Sequence, residues 1–194
     1  MSVFLFSEPA LLVEVNLGFA ISANSEDSDR TFKQMQDIIK SFIDNYPSAG
    51  VYYSVLTFGE APVVHLNFTY QITIEDRKRA INLIDHKRGL ASLDKALDKA
   101  RDLFKDAAMK RPTAKNILVV IVDKKSNSKT DDIKASSRLL EDDGVRVVIV
   151  GVGNEVDKPE VHVVSPTSIL TNTTDNPDTV AKEIIIIIDK GEEF

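Results

Sequence analysis

The chain has 194 residues, 43% hydrophobic and 28% charged, which suits one soluble globular domain and leaves no tract long enough to read as disordered. A formal charge of -6 argues against nucleic-acid or anionic-membrane binding, since both depend on a basic face that releases counterions. With no cysteine, disulfides, thiolate zinc sites and cysteine nucleophiles are excluded together.

Two apolar runs, residues 3–6 and 184–188, are too short to span or insert into a membrane. Residues 11–21 are rich in apolar side chains and predict a central strand buried on both faces. A short polar loop follows, and in an α/β sheet such a loop at a strand's carboxyl end is where ligands bind. Next, Phe32, Met35, Ile38, Ile39, Phe42 and Ile43 recur at helical spacing, with Ser28 or Asp29 placed to cap the first turn. Residues 51–58 and 63–68 are β-rich and are separated by Gly59-Glu60-Ala61-Pro62, a link so short that only an antiparallel hairpin fits. Thr73 with Asp76 resembles a capping box for a short helix whose buried side is Ala80, Ile81 and Ile84. After a bend at Gly89, the stripe Leu93, Ala96, Leu97, Ala100, Leu103 and Phe104 predicts a helix that stops near Arg111-Pro112.

Residues 117–122 form an uninterrupted β-branched run, the pattern of a strand covered on both faces, with Asp123 at its carboxyl end. A helix over residues 130–142 turns Ile133, Leu139 and Leu140 inward and stops before Gly144. Residues 145–152 repeat the buried-strand pattern, 154–166 read as irregular because of two prolines, and 168–171 read as an edge strand. Over residues 178–190 the five isoleucines favour a strand by β-branching. A helix is preferred because Val180, Ile184, Ile187 and Ile188 then share a face, leaving Ile185 and Ile186 to point elsewhere. The sum is an α/β fold: one domain over residues 1–194, core about 13–190, with a Rossmann-like, doubly wound, mostly parallel sheet. One edge strand is antiparallel, and helices cover both faces.

Several strings in this order carry a family resemblance: Asn16-Leu17-Gly18-Phe19-Ala20-Ile21, FKQMQDIIKSFIDNY at 32–46, Leu56-Thr57-Phe58, GLASLDKAL at 89–97, residues 117–123, and DGVRVVIVGVG at 143–153. Together they resemble a von Willebrand factor type A domain of the extracellular matrix or adhesion kind. The resemblance implies the fold above and a metal-ion-dependent adhesion site at the top of the sheet. That site's first loop, Asp-x-Ser-x-Ser, falls on Ser22-Ala23-Asn24-Ser25-Glu26, so the aspartate is Ser22 and the serines are Asn24 and Glu26. The second loop's threonine falls on Ala91, beside Ser92. The third loop's aspartate is kept as Asp123, followed by Lys124 in place of glycine.

Magnesium wants near-octahedral oxygen ligation with carboxylates supplying most of the binding energy. Here one carboxylate and three hydroxyls are gone from the mapped positions, and Lys124 puts a cation beside Asp123, in reach of the metal's electrostatic role. The expectation is a degenerate site and no cofactor. Asp123, Asn24 and Glu26, with Ser22 and Ser92 as helpers, are the residues for any residual Mg2+ binding. The function that follows is a non-enzymatic, extracellular module for protein–protein interaction, adhesion or matrix scaffolding, whose partner is a matrix or cell-surface protein.

Two rivals stand beside it. One is a cation-dependent adhesion domain using substitute ligands. The other is a nucleotide-dependent enzyme resting on Gly151-Val152-Gly153, against which Val156 occupies the third glycine position. His65, His86 and His162 lack a spacing that would place two on one metal. Asn67-Phe68-Thr69 and Asn172-Thr173-Thr174 are glycan acceptors in a secreted protein.

Overall fold

The computed structural model describes residues 13–23, 29–46, 49–69, 72–86 and 90–190. The elements in chain order are β1 (Val15–Ser22), α1 (Asp29–Asn45), β2 (Val51–Phe58), β3 (Pro62–Thr69), α2 (Ile74–Asn82) and α3 (Leu93–Lys110). They are followed by β4 (Lys115–Val122), α4 (Thr130–Asp142), β5 (Val145–Val152), α5 (Lys158–Val164), β6 (Ser168–Thr171) and α6 (Pro177–Lys190). The sheet order is β3-β2-β1-β4-β5-β6. Every neighbouring pair is parallel except β2 with β3, the hairpin that the short Gly59–Pro62 link demands.

Strand side chains alternate between faces, so each central strand feeds two cores. Leu17, Phe19 and Ile21 of β1 join Val119, Ile121, Val148 and Val150 under α1 and α6. On the other face Ala20, Leu118, Val120, Val147 and Ile149 pack beneath α3, α4 and α5. All eight positions of β1 are buried, as expected of a strand covered on both sides.

Three details depart from the sequence expectations. Residues 154–166 contain a helix, α5, where a loop was expected. Asp157 caps it by accepting the Glu160 N–H at 2.9 Å, and Pro159 lies in the first turn, where a missing N–H costs nothing. Leu139 is 40% exposed, because the buried stripe of α4 runs Ile133, Ser136, Ser137, Leu140 and leaves Leu139 one step off it. Ile185 and Ile187 are half-buried against the core, whereas Ile186 is half exposed. Ser28 and Gly89 lie outside the described residues.

The lower end of the sheet is closed by Arg111, which the sequence marks only as a helix stop. Its guanidinium donates from Nη1 to Val15 O at 3.1 Å and Asn16 Oδ1 at 2.8 Å, and from Nη2 to Gly50 O. It also lies 3.8 Å from the centre of the Tyr52 ring. At the outer edge, β3 begins with Pro62, and its exposed Asn67 accepts the Phe68 N–H on Oδ1 at 2.8 Å.

Candidate functional site

The chain runs outward in both directions from β1 and β4, so the strand ends between them form the switch point of the sheet. Ser22 ends β1 and Asp123 follows β4. They are 1% and 6% exposed, and Ser22 Oγ and Asp123 Oδ1 are both buried without a hydrogen-bond partner. A buried carboxylate oxygen left in that state is costly and calls for a reason.

The loop after Asp123 is tied down on two sides. Toward α5, the Ser126 N–H and hydroxyl donate to the buried Glu160 carboxylate, both at 2.9 Å. Toward α3, the Ser128 hydroxyl donates to Asp94, the Asp94 N–H donates to Ser128 Oγ at 3.3 Å, and the Asn127 N–H donates to Ala91 O at 2.9 Å. Ser92 spends its hydroxyl on Asn127 Oδ1 at 3.4 Å and makes no side-chain cap to α3. Lys124 forms no ion pair with Asp123; its neighbour Lys125 pairs with Asp157 at 3.1 Å.

Burial pushes the Glu160 carboxyl above the ordinary glutamate range, and the Ser126 donors pull it back only in part. Because the folded pKa lies above the unfolded one, the contribution of this group to stability is full below the ordinary value and is lost as pH rises through the raised one. Glu160→Gln keeps an acceptor for Ser126 and removes the charge. Its stability relative to the parent should therefore improve as pH rises through that window. Unfolding midpoints of both proteins across a pH series test this, and a constant difference would sink it.

Beside Asp123 a cleft of about 360 Å³ opens between the ends of β4, β5 and β6, lined also by Asn154, Glu155, Asn172 and Thr174. Its rim is a turn held by Asp175, whose carboxylate accepts from Thr171 Oγ1 and from the Asn172 N–H, each at 2.7 Å. Those donors hold the Asp175 carboxyl below the usual range. The cleft gathers residues from α1 and three separate loops, and no local string of sequence announces that meeting. Both sequon asparagines, Asn67 and Asn172, are exposed, and Asn172 stands at the mouth of the cleft.

The glycines that suggested a dinucleotide loop serve packing and turning. A Cβ on Gly151 would fall 2.7 Å from Val156 Cγ1 and 2.9 Å from Leu170 Cδ2, and Gly153 has φ +99°. The histidines stay apart: His65 is bonded to Thr57 at 2.8 Å, His86 stacks on Phe32, and His162 is exposed on α5.

Asn24 and Glu26 lie outside the described residues. Among the described residues no cluster of three or more His, Asp or Glu side chains could hold a metal ion. Among the described residues the donors at these strand ends are the Asp123 carboxylate and the Ser22 hydroxyl, with Ala91 contributing no side-chain oxygen.

A six-stranded, mostly parallel sheet with one antiparallel edge and polar residues at the β1–β4 switch point defines the class of Rossmann-like, doubly wound α/β domains. The von Willebrand factor type A domain model matches residues 19–183, and the chain belongs to that family. Human vitrin is 27% identical over 157 residues, covering 79% of this chain and 23% of vitrin, and bovine vitrin is 26% identical over a similar stretch. The chain thus spans about a quarter of the length of the vitrins it matches.

Among solved structures, proximal thread matrix protein 1 from the mussel byssus superposes with a TM-score of 0.77 at 18% identity, over 91% of this chain and 46% of that one. A structure of that mussel protein has a zinc-occupied adhesion-site motif. A von Willebrand factor type A protein from Catenulispora acidiphila gives 0.73 at 16% identity, over 90% of this chain and 42% of that one. Among the described residues no helix is long and apolar enough to cross a membrane.

Proposed function

We propose that this domain is a non-enzymatic, extracellular protein-interaction module of the matrix or adhesion type, and that it binds its partner without a divalent cation. The family and its matrix-protein relatives support the first half. The second half rests on the donor set at the switch point: Ser22 stands where the family's leading aspartate belongs, Ala91 replaces the threonine, and the described residues offer no three-ligand cluster. Loss of the metal removes the usual means of capturing an acidic partner residue, so binding falls to the loops at the top of the sheet. Export is consistent with the exposed sequon at Asn67.

Thermal unfolding in EDTA, then in millimolar magnesium, manganese or calcium at constant ionic strength, tests this reading. A ligand at a hundred times its Kd stabilises the native state by about 2.7 kcal/mol, a visible change in Tm. No shift is expected with any cation. A shift that vanishes in Asp123→Ala would restore a cation-dependent site and overturn the reading.

A further inference from the structure

We propose that the cleft beside Asp123 receives the guanidinium of an arginine side chain presented by the protein partner. The inference rests on the metal-free reading above and names the chemistry that replaces the metal.

The first observation is the state of Asp123. Its carboxylate is 6% exposed, it lines the cleft, and Oδ1 has no hydrogen-bond partner. A buried carboxylate in that condition gains from any cationic donor that reaches it. Among the described residues, Lys124 forms no ion pair with it, and Lys125 is held by Asp157.

Size comes next. The cleft has a volume of about 360 Å³. Space on that scale suits the end of a long side chain, whereas a bare divalent ion needs a tight shell of oxygens at roughly 2 Å. The walls give the sign of the ligand. Besides Asp123 they carry Glu155 at the exposed side, and the amide and hydroxyl oxygens of Asn154, Asn172 and Thr174. An anion would meet two carboxylates there, and a net charge of -6 on the chain steers cations toward it.

Guanidinium fits this arrangement better than ammonium. It is planar, weakly hydrated, and carries five donors in a fixed fork. Two of those match a carboxylate, and the remaining three face outward, where the neutral oxygens of the walls accept them. An ammonium would be a compact, strongly hydrated charge in a cleft too wide to strip its water.

The test uses the whole chain made in bacteria, so that Asn172 carries no glycan, kept in EDTA and followed by amide NMR. The probes are Nα-acetyl-arginine methylamide, its lysine counterpart, and the neutral citrulline isostere. The arginine probe should move the amides of Asp123, Asn154, Glu155 and Asn172, with a Kd in the millimolar range or tighter. The citrulline probe should leave them still. Asp123→Asn keeps the shape of the side chain and removes an unpaired charge, so it folds, and it should weaken the arginine probe at least about tenfold.

Equal shifts from arginine and citrulline, or an unchanged Kd in Asp123→Asn, would overturn the proposal. A lysine probe binding as tightly as arginine would overturn the choice of guanidinium. If magnesium added without EDTA moves the same amides and Asp123→Asn abolishes that, the metal-free function falls as well. If neither magnesium nor arginine binds, the inference fails while the metal-free function stands.

Discussion

Replacing Arg111 with alanine is expected to lower the stability of the domain by about 3 kcal/mol, since a hydrogen bond to a charged group contributes about 1.5–3 kcal/mol. The guanidinium is 8% exposed and serves three acceptors on two strands' margins: Val15 O, Asn16 Oδ1 and Gly50 O. Alanine leaves all three short of a donor in a place where water enters with difficulty. It also strips the cation from the face of Tyr52. Lysine restores the charge but has no fork, so Arg111→Lys should recover less than half of the loss. Urea unfolding of the three proteins, with the slope checked for constancy, measures the difference. A loss below about 1 kcal/mol for the alanine variant would show that the Arg111 contacts matter little to stability.

Ile184→Ala should cost about 2–5 kcal/mol, whereas Ile186→Ala should change stability by less than about 0.5 kcal/mol. The contrast separates the two readings of the isoleucine run. In a strand, positions two apart share a face and the two substitutions would behave alike. In α6 they point apart: Ile184 is fully buried against the α1 side of the sheet, and Ile186 is 50% exposed. The helix end is supported from β5, where Arg146 donates to Ile188 O at 2.9 Å and Ile187 O at 2.7 Å. Those bonds satisfy carbonyls that the last turn cannot reach, and they help a β-branched sequence to stay helical. Equal losses at the two positions, read from denaturation midpoints, would contradict the helix.

Most of this architecture is written in periodicity. Apolar and β-rich runs place every strand, stripes at helical spacing and capping signals place five of the six helices, and Gly144, with φ +75°, marks the end of α4 as expected. What periodicity misses is polar and local. Around α5 the prolines at 159 and 166 read as breakers, although Asp157 with Glu160 three positions on is itself a capping signal. Arg77 and Arg111 are charged residues buried against Tyr53 and Tyr52, and no pattern in their own neighbourhoods announces that burial.

The site divides in the same way. Asp123 is found from its place at a strand end and Ser22 from the family resemblance, and the structure brings both to the switch point. The ties from Ser126 to Glu160 and from Ser128 to Asp94 each span 34 residues, and such pairings exist only once the sheet is assembled. The cleft likewise draws on loops after β4, β5 and β6, so its shape is a property of the fold and not of any string.

The outer edge of the sheet has a further consequence. An eight-residue edge strand is ordinarily an invitation to add another chain, strand on strand, and proteins held at high local concentration are most exposed to that hazard. On β3 two backbone donors are withdrawn from any newcomer: Pro62 has none to offer, and the Phe68 N–H is occupied by the side chain of Asn67. Copies of the domain crowded side by side therefore meet, along β3, an edge that is a poor template for a further strand.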